Sequence, residues 1–163
     1  MNGSVSPADR AFAALSYVMP LTSALSAGFF FLTFLQNTAP AVATAFDLLL
    51  LPLTPFIMIE SDQFLGLAVF VALFVFVVRN TNISRFIRYN VLQSILVSFV
   101  ISVITLIVSE TGILSIPTVG ETLLNVLFLG GMAIVVYGVA QSVMGRYAEI
   151  PTISDAINTQ LPY

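Results

Sequence analysis

Lysine, histidine, cysteine and tryptophan are all missing from this 163-residue chain, and charged residues make up only 8% of it. Without cysteine there is no disulfide and no thiolate. Without histidine there is no imidazole acid–base chemistry and none of the usual zinc ligand sets. The cations are five arginines and the formal net charge is −3, which argues against a nucleic-acid partner. An average soluble domain carries about 25% charged residues. So little charge cannot coat a water-facing surface, and the 58% of residues that are hydrophobic must in large part face lipid.

The length allows one domain of roughly four spans at about 20 apolar residues each. The expected class is an all-α membrane protein with four transmembrane helices and an N-terminal amphipathic helix lying in the interface. Residues 1–10 are expected to be a disordered start, 11–145 the membrane domain and 146–163 a polar tail outside the bilayer. Apolar residues recur at Ala11, Phe12, Leu15, Val18 and Met19, with Asp9, Arg10, Ala13 and Ser16 opposite. This is the pattern of an interfacial helix, entered at Ser6, Pro7 and Asp9 and ended or bent by Pro20. A cleaved signal peptide is the rival, with Ala24–Ser26 as its small-residue site, but Asp9 cancels the charge of Arg10.

The first span is expected at about Phe29–Leu51, with Pro40–Ile59 as the alternative register. Both contain Asp47, and an ionised Asp at a helix centre costs about 2.5–3.5 kcal/mol on insertion scales. Phe64–Val78 would reach only roughly 23 Å as a helix, short of a hydrocarbon core of about 30 Å. It needs extension, local thinning or shelter among its neighbours. A polar hinge follows, Arg79–Tyr89, with Ser84 as a helix cap. Val91–Val108 and Thr122–Met144 are the last two spans. With four spans, Arg10, Arg79, Arg85, Arg88 and Arg146 all fall on one side, and Glu60, Asp62, Glu110 and Glu121 on the other. The positive-inside rule then puts both termini on the cytoplasmic or stromal side, with Arg79, Arg85, Arg88 and Arg146 as topology anchors.

No catalytic constellation, phosphate loop or metal-ligand cluster is visible, so no enzyme activity and no cofactor is expected. Asp47, Asn90, Gln93, Asn125 and Gln141 are the polar residues in or near spans. They form either a polar path through the bundle or a set of interhelical hydrogen bonds. Asn90 and Gln93 share a helix face with Phe86 and Val97. Gly131, Gly138 and Gly145 recur every seven residues, and Ser142 joins them on a face that admits close backbone approach. That face serves packing within one fold or a subunit contact, a second copy of the chain included.

Three stretches carry a resemblance to a known family: the opening DRAFAALSYVMPL, the hinge VVRN followed by SRFIRYNVLQSIL, and the tail GRYAEIPTISDAINTQLP. Together they resemble the Tic-twenty family, named for a subunit of the translocon at the inner envelope of chloroplasts and found in cyanobacteria too. The similarity runs from about Asp9 to Pro162. It matches the family at Arg79, Asn80, Arg85, Arg88, Asn90, Gln93, Gly145, Arg146, Tyr147 and Pro151, none with a catalytic role. The resemblance implies four membrane helices with stromal termini, and a part in preprotein translocation beside other translocon subunits. Nuclear-encoded plant members carry a long transit peptide. The sequence here starts about eight residues before the family domain, so a cyanobacterial or plastid-encoded protein is expected. Its membrane would be the cyanobacterial plasma or thylakoid membrane or the plastid inner envelope. The polar Gln36–Thr38 break and Asp47 match no family feature. A small-molecule or ion permease and a scaffold subunit remain the alternatives.

Overall fold

Helix starts follow the capping residues that the sequence supplies. The Asp9 amide donates to Ser6 Oγ at 3.1 Å and Pro7 fills the first helical position, so α1 runs Pro7–Ser16. The computed structural model describes residues 5–161, and most of them are helical. Of the expected disordered start, residues 1–4 lie outside the described residues, as do 162–163 of the tail. Pro20 cannot donate to Ser16, and the chain tightens at Tyr17, whose amide bonds the Ala14 carbonyl at 3.2 Å. The helix then continues as α2, Val18–Ala27.

The first helix packs into the bundle by one side. Its small and polar side, Ala13, Ser16 and Tyr17, is buried, while Phe12 and Leu15 on the apolar side are 66% and 40% exposed. Lipid tails are as apolar as these side chains, so helices associate through small and hydrogen-bonding residues and turn their apolar side chains outward. Ala24, in the cleavage-like triplet, sits fully buried in the same helix.

At Gly28 the path bends by 71° into α3, Phe29–Thr38. Ala39 precedes a proline and is held out of the helical region (φ −143°, ψ 64°), which separates α3 from α4, Pro40–Leu50. The expected span Phe29–Leu51 is therefore split at Ala39, and the continuous apolar helix is Pro40–Ser61, close to the alternative register. Pro52 and Pro55 remove two amides from it. The chain tightens there into a 3-10 turn, Leu51–Leu53, before α5, Thr54–Ser61. Asp62 accepts from the Phe64 and Leu65 amides at 3.0 and 2.9 Å and starts α6, Gln63–Ala72. A π-helical turn, Leu73–Val78, completes that arm and packs along α7, Arg85–Glu110, giving the short segment the shelter it needs.

Side-chain contacts fix the topology. Ser16 meets Ser94 and Ser23 meets Ser98, so α1–α2 run parallel to α7. Gly28, Gly131, Gly138 and Gly145 meet Phe128, Ala24, Tyr17 and Arg10 in turn, so α1–α2 run antiparallel to α8, Pro117–Val143. Residues 40–78 climb back in two pieces. Phe46 joins the cluster that holds Val108 and Phe128 at one end, and Val78 the cluster that holds Leu92 at the other. The chain crosses the bundle four times, with both described ends and all five arginines at one end. The first crossing is α1–α2, and the second is broken at Asp62.

The stretch after α8 is not a free tail. Gly145 (φ 73°) turns it back over α7, where a short helix, α9 (Ile153–Gln160), buries Ile157 completely and Leu161 to 3% exposure. Thr152 enters α9 with φ 69° and ψ −48°, and the Ile153 amide bonds the Pro151 carbonyl at 2.8 Å. That is a γ-turn of the rare positive-φ kind, strained for a β-branched residue.

Candidate functional site

The α1–α2 junction, α7, α8 and the stretch after α8 bring polar groups to one buried spot. Tyr17 Oη lies 3.2 Å from Asn90 Oδ1 and 3.3 Å from Gln93 Oε1, both acceptors for its proton. Ser142 Oγ donates to Asn90 Oδ1 at 3.1 Å. Asn90 Nδ2 donates to the Phe86 carbonyl at 2.9 Å, and Gln93 Nε2 to the Ala148 carbonyl at 3.0 Å. Tyr89 Oη donates to that same carbonyl at 3.3 Å. Asn90, Gln93 and Ser142 are wholly inaccessible, and Tyr17 is 1% exposed. With no ionisable carboxylate or imidazole in the set, it can hold hydrogen bonds but cannot relay protons as a carboxylate–histidine chain does. Every amide here has its partners, the condition under which a buried polar network rigidifies a fold.

The hinge and tail segments meet at this spot. Tyr147 sits edge-on to Phe86 and Tyr89, at 5.4 and 4.9 Å between ring centroids. The Arg85 guanidinium lies 5.7 Å from the Tyr147 ring, and Arg85 Nη2 donates to Asn158 Oδ1 at 3.0 Å. Arg88 Nε donates to the Val78 carbonyl at 2.9 Å. Arg85 and Arg88 therefore clip the tail and the α6 arm to α7. Arg79 and Arg146 are exposed at the same end.

The other polar residues singled out from the sequence lie elsewhere. Asp47 is exposed on α4, far from Arg85 and Arg88. Asn125 is half-buried near Leu124, its Oδ1 enclosed without a hydrogen-bond partner among the described residues. Gln141 is half-buried beside Ser142. The small face of α8 is used within the chain. Gly131 packs on Ala24, and the Tyr17 ring lies where any Cβ at Gly138 would sit. Among the described residues no three His, Cys, Asp or Glu side chains gather closely enough to hold a metal ion.

A second polar feature escaped the sequence reading. A groove of about 680 Å³ runs along the flank between α2, α6 and α7, lined by Ser23, Ser98, Ser102, Thr105, Glu60 and Asp62 among others. Ser23 Oγ lies 2.6 Å from Ser98 Oγ, and Ser102 Oγ donates to Ser23 Oγ at 3.2 Å. The acidic turn Glu60–Asp62 faces the side of the bundle instead of lying beyond its end. The signal was present: Ser94, Ser98, Ser102, Thr105 and Ser109 follow helical 3–4 spacing on α7, and Ser16 and Ser23 stand seven apart on the facing helix.

These features define a polytopic α-helical membrane protein with a sealed polar core at its arginine end and a hydroxyl-lined flank. Residues 8–157 match the family model described as chloroplast import apparatus Tic20-like. A "Tic20 family protein" of Synechocystis sp. is 41% identical over 99% of this chain and 98% of its own length. "Tic20 family protein Ycf60" of Porphyra purpurea is 32% identical over 69% of this chain and 57% of its own. "Protein TIC 20-v, chloroplastic" of Arabidopsis thaliana is 27% identical over 97% and 73%. The chain belongs to the Tic20 family.

Proposed function

We propose that this chain is a non-enzymatic subunit of a membrane protein translocon and takes part in moving preproteins, beside other translocon subunits. Family membership supports the translocon setting. The observation that carries the conduit role is the hydroxyl-lined groove between α2, α6 and α7. A polypeptide inside a bilayer must find partners for its backbone groups. A ladder of serine and threonine hydroxyls offers donors and acceptors along one wall, with the Glu60 and Asp62 carboxylates beside it. The 41% identity to a cyanobacterial protein supports a cyanobacterial plasma or thylakoid membrane, with the plastid inner envelope as the organellar counterpart.

The test uses the cysteine-free background. Photo-reactive groups are placed at positions 98, 102 and 93 in intact membranes, and a preprotein is arrested in transit. Adducts to the moving chain are expected from 98 and 102 and not from the sealed position 93. Adducts from 98 and 102 to neighbouring membrane subunits alone would overturn the conduit role and leave a scaffold.

A further inference from the structure

The helix Pro40–Ser61 is long and apolar enough to span a membrane yet hardly packs on its own protein. In its most apolar stretch 6% of residues are buried, against 44% for Arg85–Glu110 and 28% for Thr118–Val143. Ala43, Phe46, Leu50, Leu53 and Ile57 face inward. On the outer side Val42, Leu48, Leu49 and Leu51 are 56%, 63%, 70% and 64% exposed. Asp47 stands exposed beside Leu48 and Leu51 and forms no hydrogen bond or ion pair among the described residues. Phe46, its neighbour, joins the cluster that holds Val108 and Phe128 at the end opposite the arginines. Asp47 lies seven residues into the helix, about 10 Å along its axis from Pro40. A carboxylate on so short a stem does not reach the interface as a lysine would, and a polar group facing lipid is expensive unless another group meets it.

We infer that the outer face of α4 is a docking surface for a membrane-spanning helix of a different protein, one that brings a lysine or arginine to Asp47. Leu48 and Leu51 flank the carboxylate and supply the apolar contact. The chain's own cations do not serve: all five arginines sit at the far end of the bundle. A second copy in the same orientation carries its arginines at that far end too, so self-association leaves Asp47 unmet. Charge complementarity selects a basic residue in a foreign helix.

The full chain is reconstituted in phosphatidylcholine vesicles with a leucine-rich transmembrane peptide of about 21 residues. The peptide carries one arginine about 10 Å from one end. A second peptide has leucine in that place, and association is read by energy transfer. The arginine peptide is expected to associate at least about tenfold more tightly than the leucine peptide, one factor of ten being the smallest clear discrimination. Asp47→Leu, a change at a lipid-exposed position, should leave the fold intact and abolish the difference. Equal association of the two peptides, or a preference that survives Asp47→Leu, overturns the proposal. In native membranes a photo-reactive group at position 48 should give an adduct to another membrane protein that disappears with Asp47→Leu. An adduct to a second copy of this chain, or to lipid alone, also overturns it. Neither readout depends on a polypeptide passing the hydroxyl-lined groove.

Discussion

Gly138 and Asn90 show how residue chemistry holds the bundle. The Tyr17 ring occupies the space a Cβ at Gly138 would need, and Gly130, about two turns away, has nothing within 4 Å of its would-be Cβ. Gly138→Ala should cost about 1–3 kcal/mol by overpacking, and Gly130→Ala should be close to neutral. Thermal unfolding in mild detergent separates the two, and equal behaviour would mean the ring yields freely. Asn90→Leu removes the acceptor of Ser142 and one of the two open to Tyr17. Stranding buried hydroxyls costs about 1–3 kcal/mol. Tyr17→Phe leaves Asn90 Oδ1 its Ser142 donor and strands the single acceptor Gln93 Oε1, so it should cost less, about 1 kcal/mol, the low end of that range. The reverse ranking in the same assay would deny Asn90 its place at the centre of the network.

Among elements, the tail helix is the most exposed to test. Ile157 is fully buried in the cluster that also holds Met19, Val78, Tyr89 and Leu92. Ile157→Ala should lower stability by about 2–5 kcal/mol, whereas a tail merely floating beside the bundle would show no change. Thr152 is the opposite case. Its positive φ suits glycine, so Thr152→Gly should raise stability by about 1 kcal/mol, the low end of the strain held at such positions. A loss on that substitution would show that the threonine side chain outweighs its backbone strain.

For the whole molecule, the gathering of all five arginines at one end predicts the orientation. Arg85→Glu combined with Arg88→Glu should invert or scramble the flanking crossings in a reporter-fusion map, because the positive charge that retains this end is then reversed. The same pair also releases Asn158 and the Val78 carbonyl from their donors. Arg85→Gln with Arg88→Gln should therefore loosen the tail, seen as faster proteolysis, while Arg10, Arg79 and Arg146 keep the map unchanged. A map unchanged by the glutamates would deny these residues a topological role.

The sequence by itself determined the class of protein, the helical content and the charge asymmetry. These follow from composition, from caps at Ser6 and Ser84, and from where five arginines fall along the chain. It also marked the Arg85–Gln93 hinge and the Gly145–Pro151 tail as special segments. Tertiary structure alone decided that they touch, because a carbonyl at residue 148 meeting an amide at residue 93 leaves no periodic trace. Which side of the first helix packs inward was decided by packing for a related reason. Amphipathicity names two faces, but in lipid the small polar face turns inward, so Ala13, Ser16 and Tyr17 became core and Phe12 became surface. The span register could be narrowed to two choices, and Ala39, forced extended by Pro40, selected between them. Asp47 was visible as an anomaly from the start. Whether it faced its own bundle or something beyond it depended on which side of α4 the remaining helices cover, and that is a property of packing, not of sequence.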